Sequence, residues 1–489
     1  MSIVRPDPAA TPLDTSAGDV ALLHDDLVIA SRQRAREPEL PAATVAAALA
    51  TAVSPPLARY AVVELPGPPD SERLAAEFGR RGHRVFSLVA DADANDVVKE
   101  PDTGIVVVPF AAAELDLPRQ EAAILTLLAS VRRTAAIEAA VLLLRDPAWA
   151  DVAVRARERW GWRIVADADA GTLGPRLERA AGVIVTNDSP SEPESPRPAA
   201  LQERRGARHI ARTAGWATID AAIRAMFPLA SVIIVNYETL AFTRLCLASL
   251  LANTEYPSYE LILVDNGSTD GSAAEFERLS AYYPHVRAIL NTTNLGFGPG
   301  NNQGLAIARG DLLVLLNSDT LVPPGWLSRL AHHLADPRLG LIGPATNRTC
   351  NEAQIVAPYE TYGDFLRFAR ARAASHDGQR HAIRMPMMFC VAWRRDVLAE
   401  IGMLDERYET GMFEDEDYAL RVKAAGYETG WAADTYVHHA YHASIGKLLP
   451  SGEYLPLFRR NQERFEEKWG ICWERHRPPP APPPEAIGA

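Results

Sequence analysis

The chain predicts an α/β protein built as two successive units. Short apolar runs of strand length recur along it, and stretches with helical spacing separate most of them. At 489 residues it is long enough for two or three domains. Apolar strands alternating with helices imply a mainly parallel sheet covered on both faces. The hydrophobic share of 47% suffices for packed cores, and 23% charged residues is ordinary for a soluble protein.

Residues 1–55, rich in Ala, Pro and Asp without clean periodicity, read as a poorly ordered leader. The first unit is expected over 56–186 as a Rossmann-like α/β domain, the smaller of the two. Its strands are predicted at 60–65, 85–89, 104–108, 141–144, 163–166 and 182–185, with helices at 71–81, 120–140 and 148–160. Pro190, Pro193, Pro196 and Pro198 among Ser and Glu mark a linker, so 187–229 reads as a Pro-rich linker followed by a helix over 209–226. The second unit, 230–475, opens on a buried strand at 231–237. Further strands are predicted at 261–264, 286–290, 312–316, 339–342 and 387–393. Helices are predicted at 240–252, 272–282, 301–308, 325–335, 362–373, 415–425 and 454–469. The Pro runs of 476–489 read as a disordered tail.

Charge and composition narrow the class. A formal net charge of −12 argues against nucleic acid as a partner, because phosphate-backbone binding needs clustered positive charge. Cys246, Cys350, Cys390 and Cys472 are scattered without metal-ligand spacing and read as ordinary thiols in a reducing compartment. The first 30 residues, interrupted by Asp and Pro, do not resemble a signal peptide, and no apolar run is long enough to span a bilayer. The expectation is a cytoplasmic protein without a transmembrane segment, compatible with peripheral contact at the inner face of the membrane.

Two acidic clusters carry the chemistry. Asn317-Ser318-Asp319 follows a strand, and Glu414-Asp415-Glu416-Asp417 opens a helix. Together they suggest a site that holds a metal-diphosphate and deprotonates an alcohol. Asp319 suits Mg²⁺ or Mn²⁺, hard cations that combine a few protein oxygens with substrate phosphates, or it is a turn residue. One or two acids would satisfy a helix start, whereas four in succession repel one another and raise at least one proton affinity, as a general base requires. Asp415 is expected to face the cleft, and Asp417 to support neighbouring loops. Asp265 ends a strand in a turn with Gly267 and Gly271, a ligand position or a plain turn. The run from Asn294 to Gly304 holds four glycines ahead of a helix, an arrangement able to approach a phosphate or ribose closely. His438, His439 and His442 lie together, three of the chain's 12 histidines, so one of them is expected at the site. Arg394-Arg395 either pairs with diphosphate oxygens or opens an exposed helix.

In order, the segments SVIIVNYE, ELILVDNGSTDGS, NLGFGPGNNQGL, LLVLLNSDTLVPPGWL, RRDVLAEIGMLDERY, MFEDEDYALRVKAAGY and VHHAYHAS resemble family 2 of the nucleotide-sugar glycosyltransferases, with their GT-A fold. They cover about 231–469. The rhamnosyltransferase-like branch is the nearest in flavour, since it tends to show N-x-D where others show D-x-D. The resemblance implies a Rossmann-like mixed sheet and roles for matching positions. Asp265 would contact the nucleobase with Asn236 and Tyr237 beside it, and Asn294, Gly296, Asn301, Asn317 and Arg395 would line the donor site. Asp319 would bind the metal. Asp415, with Glu414 beside it, would be the base. His439, five residues before Ser444, would approach the metal or diphosphate. The implied reaction is an inverting, metal-dependent transfer from a nucleotide-diphosphate sugar to a hydroxyl of a glycan or lipid-linked acceptor in cell-surface polysaccharide synthesis.

Segments 79–85 and 141–147 look like the first Rossmann half of a GT-B glycosyltransferase, which suggests an acceptor-binding or docking unit. A sugar-phosphate nucleotidyltransferase would want a glycine-rich loop with a basic residue after its first strand, where Asn236-Tyr237-Glu238-Thr239 stands instead. The other reading is a degenerate, non-catalytic glycan-binding or scaffold module, which metal-dependent hydrolysis of a nucleotide-sugar would exclude.

Overall fold

A computed structural model describes residues 2–4, 61–66, 74–81, 83–90, 98–99, 106–110, 117–135, 140–167, 181–186, 208–211, 214–440 and 452–475. These form two compact units: one drawn from 57–228 with 255–258, the other from 229–254 and 259–489 together with strand Ser2–Val4. The rest of the leader, the Pro-rich run 187–200, His442, Ser444 and the tail 476–489 lie outside the described residues.

Among the described residues, the N-terminal unit holds an eight-stranded sheet. Its order is Val98–Lys99, Val106–Phe110, Arg84–Ala90, Ala61–Glu64, Ala140–Leu144, Arg163–Asp167, Val183–Thr186, Arg208–Ala211. All neighbours are parallel except the first pair. The order reverses between Ala61–Glu64 and Ala140–Leu144, as in doubly wound folds. Two elements depart from expectation, the first being strand Val98–Lys99, which no predicted run covers. The helix expected at 209–226 is a strand, Arg208–Ala211, beside Val183–Thr186, followed by helix Trp216–Arg224. Gly215, at φ 82°, holds a left-handed backbone that separates them.

In the second unit nine strands form one mixed sheet, again among the described residues. The order is Ser2–Val4, Val286–Leu290, Tyr259–Asp265, Ala230–Asn236, Leu312–Leu316, Cys390–Arg394, Leu339–Ala345, Glu428–Tyr436, Arg380–Ala382. Four parallel strands lie next to one another, then Cys390–Arg394 enters antiparallel between Leu312–Leu316 and Leu339–Ala345. The central strands are buried along nearly their whole length, which is why they read as continuous apolar runs rather than alternating ones. Ile233, Ile262, Val264, Leu313, Leu315, Trp393 and Tyr418 share one core.

Two differences from the sequence reading bear on the site. Helix Phe297–Ile307 starts four residues earlier than expected, so Gly298, Gly300 and Gly304 lie inside it rather than in an open loop. They let the helix sit close against strand Ala230–Asn236: a Cβ on Gly304 would stand 2.4 Å from Ile233 Cγ2, and one on Gly300 2.9 Å from Val235 Cγ1. The second difference is strand Glu428–Tyr436, which has no apolar run. Pairing with Leu339–Ala345 and Arg380–Ala382 imposes its extended state.

Gly304→Ala should lower the unfolding free energy by about 1–3 kcal/mol through overpacking against the stiff Ile233, offset by about 1 kcal/mol of better helix propensity. Urea denaturation checks this, and an unchanged midpoint would show that helix and strand can part without loss.

Candidate active site

The carboxyl ends of the parallel strands are joined by a buried polar network. Asn236 ends its strand fully buried. Its Nδ2 donates to Asp265 Oδ1 at 3.2 Å and Ser268 Oγ at 3.1 Å, and its Oδ1 accepts from Thr239 and Thr243 Oγ1, both at 2.6 Å. Asp265 Oδ2 accepts the backbone N–H groups of Gly267 and Ser268 at 3.1 and 2.9 Å. Thr239 Oγ1 also lies 3.1 Å from Ser318 Oγ, which ties the first strand end to Asn317-Ser318-Asp319. Asn236 and Asp265 are thus committed to shaping the edge of the sheet, and beside them Tyr237, 38% exposed, offers an open ring.

Asp319 and His439, 120 residues apart in sequence, come together because Thr320–Leu321 pairs antiparallel with His438–His439. His439 Nε2 lies 3.4 Å from Asp319 Oδ1. The imidazole is held on three sides. Its Nδ1 lies 3.3 Å from the Arg348 carbonyl, and its ring stacks on Phe389 with centroids 4.6 Å apart. Asn347 brackets its backbone, accepting from His439 N at 2.8 Å and donating to His439 O at 3.0 Å. The Arg348 carbonyl only accepts, so Nδ1 is the nitrogen that donates to it, and Nε2 is the one that faces the carboxylate. An imidazole nitrogen and a carboxylate this close are groups able to share a divalent cation. Among the described residues no group of three His, Cys, Asp or Glu could hold an ion, so an ion placed between this pair would need substrate oxygens or water to complete its shell. His438 points the other way, into the core, where its Nδ1 meets Tyr359 Oη at 2.7 Å.

The acidic run at the start of helix Glu414–Ala424 divides in two. Asp417, fully buried, accepts from Lys468 Nζ at 2.6 Å, Trp469 Nε1 at 3.0 Å and Arg421 Nε at 2.9 Å. Glu416 pairs with Arg384 and accepts from Trp473 Nε1 at 2.6 Å. Among the described residues no such cation meets Glu414 or Asp415. Asp415 Oδ1 accepts the Glu416 N–H at 2.9 Å, and Glu414 Oε2 is buried without a hydrogen-bond partner among the described residues. Burial raises the proton affinity of both, and the Asp415 charge raises that of Glu414 further. The helix runs so that Val422 lies near Gly340 and Tyr418 against Trp393. Gly340 is near the amino end of its strand, so Glu414 and Asp415 lie toward the carboxyl ends, the edge that carries Asp319.

The remaining expected residues separate. Asn294 Oδ1 accepts from Gly296 N at 2.9 Å in the turn before helix Phe297–Ile307, and Asn301 Nδ2 donates to Phe297 O within it. Gly296, at φ 90°, packs on the turn that precedes the acidic helix: a Cβ there would lie 2.3 Å from Glu409 O. Asn317 is half-buried beside Phe389, whose carbonyl accepts its N–H at 2.7 Å. Arg395 is a correction. Its guanidinium donates to the carbonyls of Gly310 and Ala308 at 2.7 and 2.9 Å, and Arg394 pairs with Leu312. Because Cys390–Arg394 runs antiparallel, Arg395 falls at the amino end of Leu312–Leu316, opposite the site. Thr239, Thr243, Asn347 and Phe389 complete the site without having been singled out in the sequence. Short polar side chains and a lone Phe carry no spacing signal.

Residues 231–402 match the model described as glycosyl transferase family 2. The O-antigen biosynthesis protein RfbC of Myxococcus xanthus is 28% identical over 239 residues, covering 46% of this chain and 18% of that protein. The N-acetylglucosaminyl-diphospho-decaprenol L-rhamnosyltransferase of Mycobacterium tuberculosis is 26% identical over 253 residues, 44% of this chain and 76% of that one. With the protein y4gI of Sinorhizobium fredii the identity is 27% over 290 residues, 53% of this chain. The chain spans 31% of y4gI and 18% of RfbC, under a third of either. Among solved structures, the mannosyltransferase PcManGT from Pyrobaculum calidifontis, in complex with GDP-Man and Mn²⁺, is similar at 22% identity and a TM-score of 0.34, covering 45% of this chain and 60% of that one. No helix among the described residues is long and apolar enough to cross a membrane.

The burial of Glu414 and Asp415 sets the sign of a pH effect. A carboxyl with raised proton affinity in the folded state binds more protons there than in the unfolded chain, so stability falls as pH rises above the ordinary glutamate value of 4.5. Glu414→Gln should therefore melt above the parent at pH 8, and the difference should shrink toward pH 4.5. Parallel melting curves across that range would show that Glu414 titrates normally.

Proposed function

We propose that the chain, whose residues 231–402 match the model described as glycosyl transferase family 2, transfers a sugar from a nucleotide-diphosphate donor to a hydroxyl of a glycan or lipid-linked acceptor, with inversion at the anomeric carbon. The observation that carries this reading is the division of the acidic run: among the described residues no cation meets Asp415, which has raised proton affinity and lies toward the sheet edge that bears Asp319 and His439. Such a carboxylate can take a proton near neutral pH.

In this reading Asp415 accepts the acceptor hydroxyl's proton while that oxygen attacks the anomeric carbon and the bond to the diphosphate breaks. One displacement of this kind inverts the configuration. Asp319 and His439 Nε2 would hold a Mg²⁺ or Mn²⁺ ion, which when bound supplies positive charge against the departing diphosphate. Tyr237 and the turn after Asp265 would receive the nucleoside, and Asn294 and Gly296 would border the donor. The relatives named for O-antigen synthesis and for rhamnosyl transfer support a deoxyhexosyl or hexosyl donor and an acceptor belonging to cell-surface polysaccharide synthesis.

Asp415→Asn should lower kcat by about 10²–10⁴-fold, the range typical of a lost general base, while donor binding stays within twofold. Equal loss of donor affinity would make Asp415 a binding residue instead. Thermal-shift titration with UDP-, dTDP- and GDP-sugars, each with and without Mn²⁺, tests the donor site itself. One donor should raise the melting temperature only with metal, and Asp319→Ala or His439→Ala should abolish that shift. No shift with any donor in the parent chain would favour a degenerate, non-catalytic module.

A further inference from the structure

The backbone that leads into the acidic helix is strained. Glu409, Met412 and Phe413, none of them glycine, have φ of 45°, 79° and 76°, and Gly411 between them has 147°. Side chains rarely adopt this left-handed region, and such residues persist only where surrounding structure over-determines them. What over-determines this turn is the last described helix, Tyr454–Trp469.

Asn461, fully buried at the middle of that helix, turns its amide into the turn. Its Nδ2 donates to the carbonyls of Tyr408 and Gly411, both at 2.8 Å, and lies 3.4 Å from that of Met412. Around it Arg464 donates to Arg407 O at 2.7 Å and to Asn461 Oδ1 at 3.0 Å. Phe465 packs on Phe413 with ring centroids 5.5 Å apart. Lys468 reaches both Asp405 and Asp417 at 2.6 Å. Apart from the Arg464–Asn461 bond within the helix, these contacts fall on residues 405–413 or on Asp417, and among the described residues no side chain of this helix bonds to Glu414 or Asp415. The turn in turn meets the donor side, because Phe297 N donates to Thr410 O at 3.2 Å and Gly296 packs on Glu409.

We infer that Asn461 is a positioning residue: by tying three carbonyls of the strained turn at one point, it fixes where helix Glu414–Ala424 begins and so aims Asp415. This rests on the proposed transfer reaction for its catalytic meaning. The site then has a built-in brace from the end of the fold, which acts on the base without touching substrate. An amide is suited to this task because its two N–H groups can serve converging carbonyls, whereas a carboxylate in the same place would face them with like charge.

The test uses the full chain, with Asn461→Ala and, should that variant fail to fold, Arg464→Met, which loosens the same turn from a half-exposed position. Hydrogen exchange over 408–416, read by mass spectrometry, should quicken in the variant while exchange in strands Ala230–Asn236 and Leu312–Leu316 stays as in the parent. Transfer kinetics should show kcat lowered about 10- to 100-fold, as for a misaimed group, with the donor KM and the Mn²⁺-dependent thermal shift unchanged. Unaltered exchange over 408–416 overturns the inference whether or not the chain transfers sugar. So does a parallel loss of kcat and donor affinity, which would mean a general loosening. A parent chain inactive with every donor would instead defeat the transfer reaction, while exchange still decides the brace.

Discussion

Four carboxylates at the start of one helix cannot all be buried as anions unless cations meet them, and the C-terminal unit is arranged around that constraint. Arg384, Arg421 and Lys468, with the indoles of Trp469 and Trp473, come from three separate segments to satisfy Glu416 and Asp417. The closing helix therefore docks where it does, and the strained turn ahead of the acids is locked beneath it. The helix dipole contributes only some tenths of a kcal/mol to holding negative charge at its start, far too little to replace those partners. What remains is a buried Asp415 and a partly buried Glu414 with no cation beside them among the described residues, and burial raises the proton affinity of both. In the proposed reaction, stability and chemistry would thereby fall to adjacent residues of a single run.

The opposite side of the site is ordered by neutral hydrogen bonds. Asn236 is saturated by Asp265, Ser268, Thr239 and Thr243, and Thr239 passes the connection to Ser318. A buried network in which each member is satisfied rigidifies its surroundings. It gives Asp319 a fixed platform, while Phe389, Asn347 and the Arg348 carbonyl fix the imidazole that faces it. The pairing of Thr320–Leu321 with His438–His439, and the bond from Ala440 N to Asp319 O, set the two side chains opposite each other.

The element pattern of the second unit was largely legible, because strands such as 286–290 and helices such as 272–282 and 454–469 carry full apolar runs or clean amphipathic spacing. The acids of 414–417 were legible as more carboxylates than a helix start requires, whereas Asp319 alone read as either a metal ligand or a turn residue. Two kinds of residue misled. The glycines of 298–304 signalled a loop, yet they serve close packing of a helix on a strand, since lack of a Cβ suits both uses. Arg395 sits next in sequence to a strand whose direction was not readable, and an antiparallel insertion carried it to the far end.

By itself the sequence determined the alternation of strands and helices, the two acidic clusters and the resemblance to a glycosyltransferase family, because periodicity and residue chemistry are local properties. Only the tertiary structure decided which of the adjacent histidines faces Asp319. The two-residue pairing of 320–321 with 438–439 turns His439 to the site and buries His438 against Tyr359. It likewise decided which acids of one run are met by cations, Glu416 by Arg384 and Asp417 by Arg421 and Lys468. Proton affinity depends on the cations that distant segments bring within hydrogen-bond reach, and no spacing along the chain records that distance.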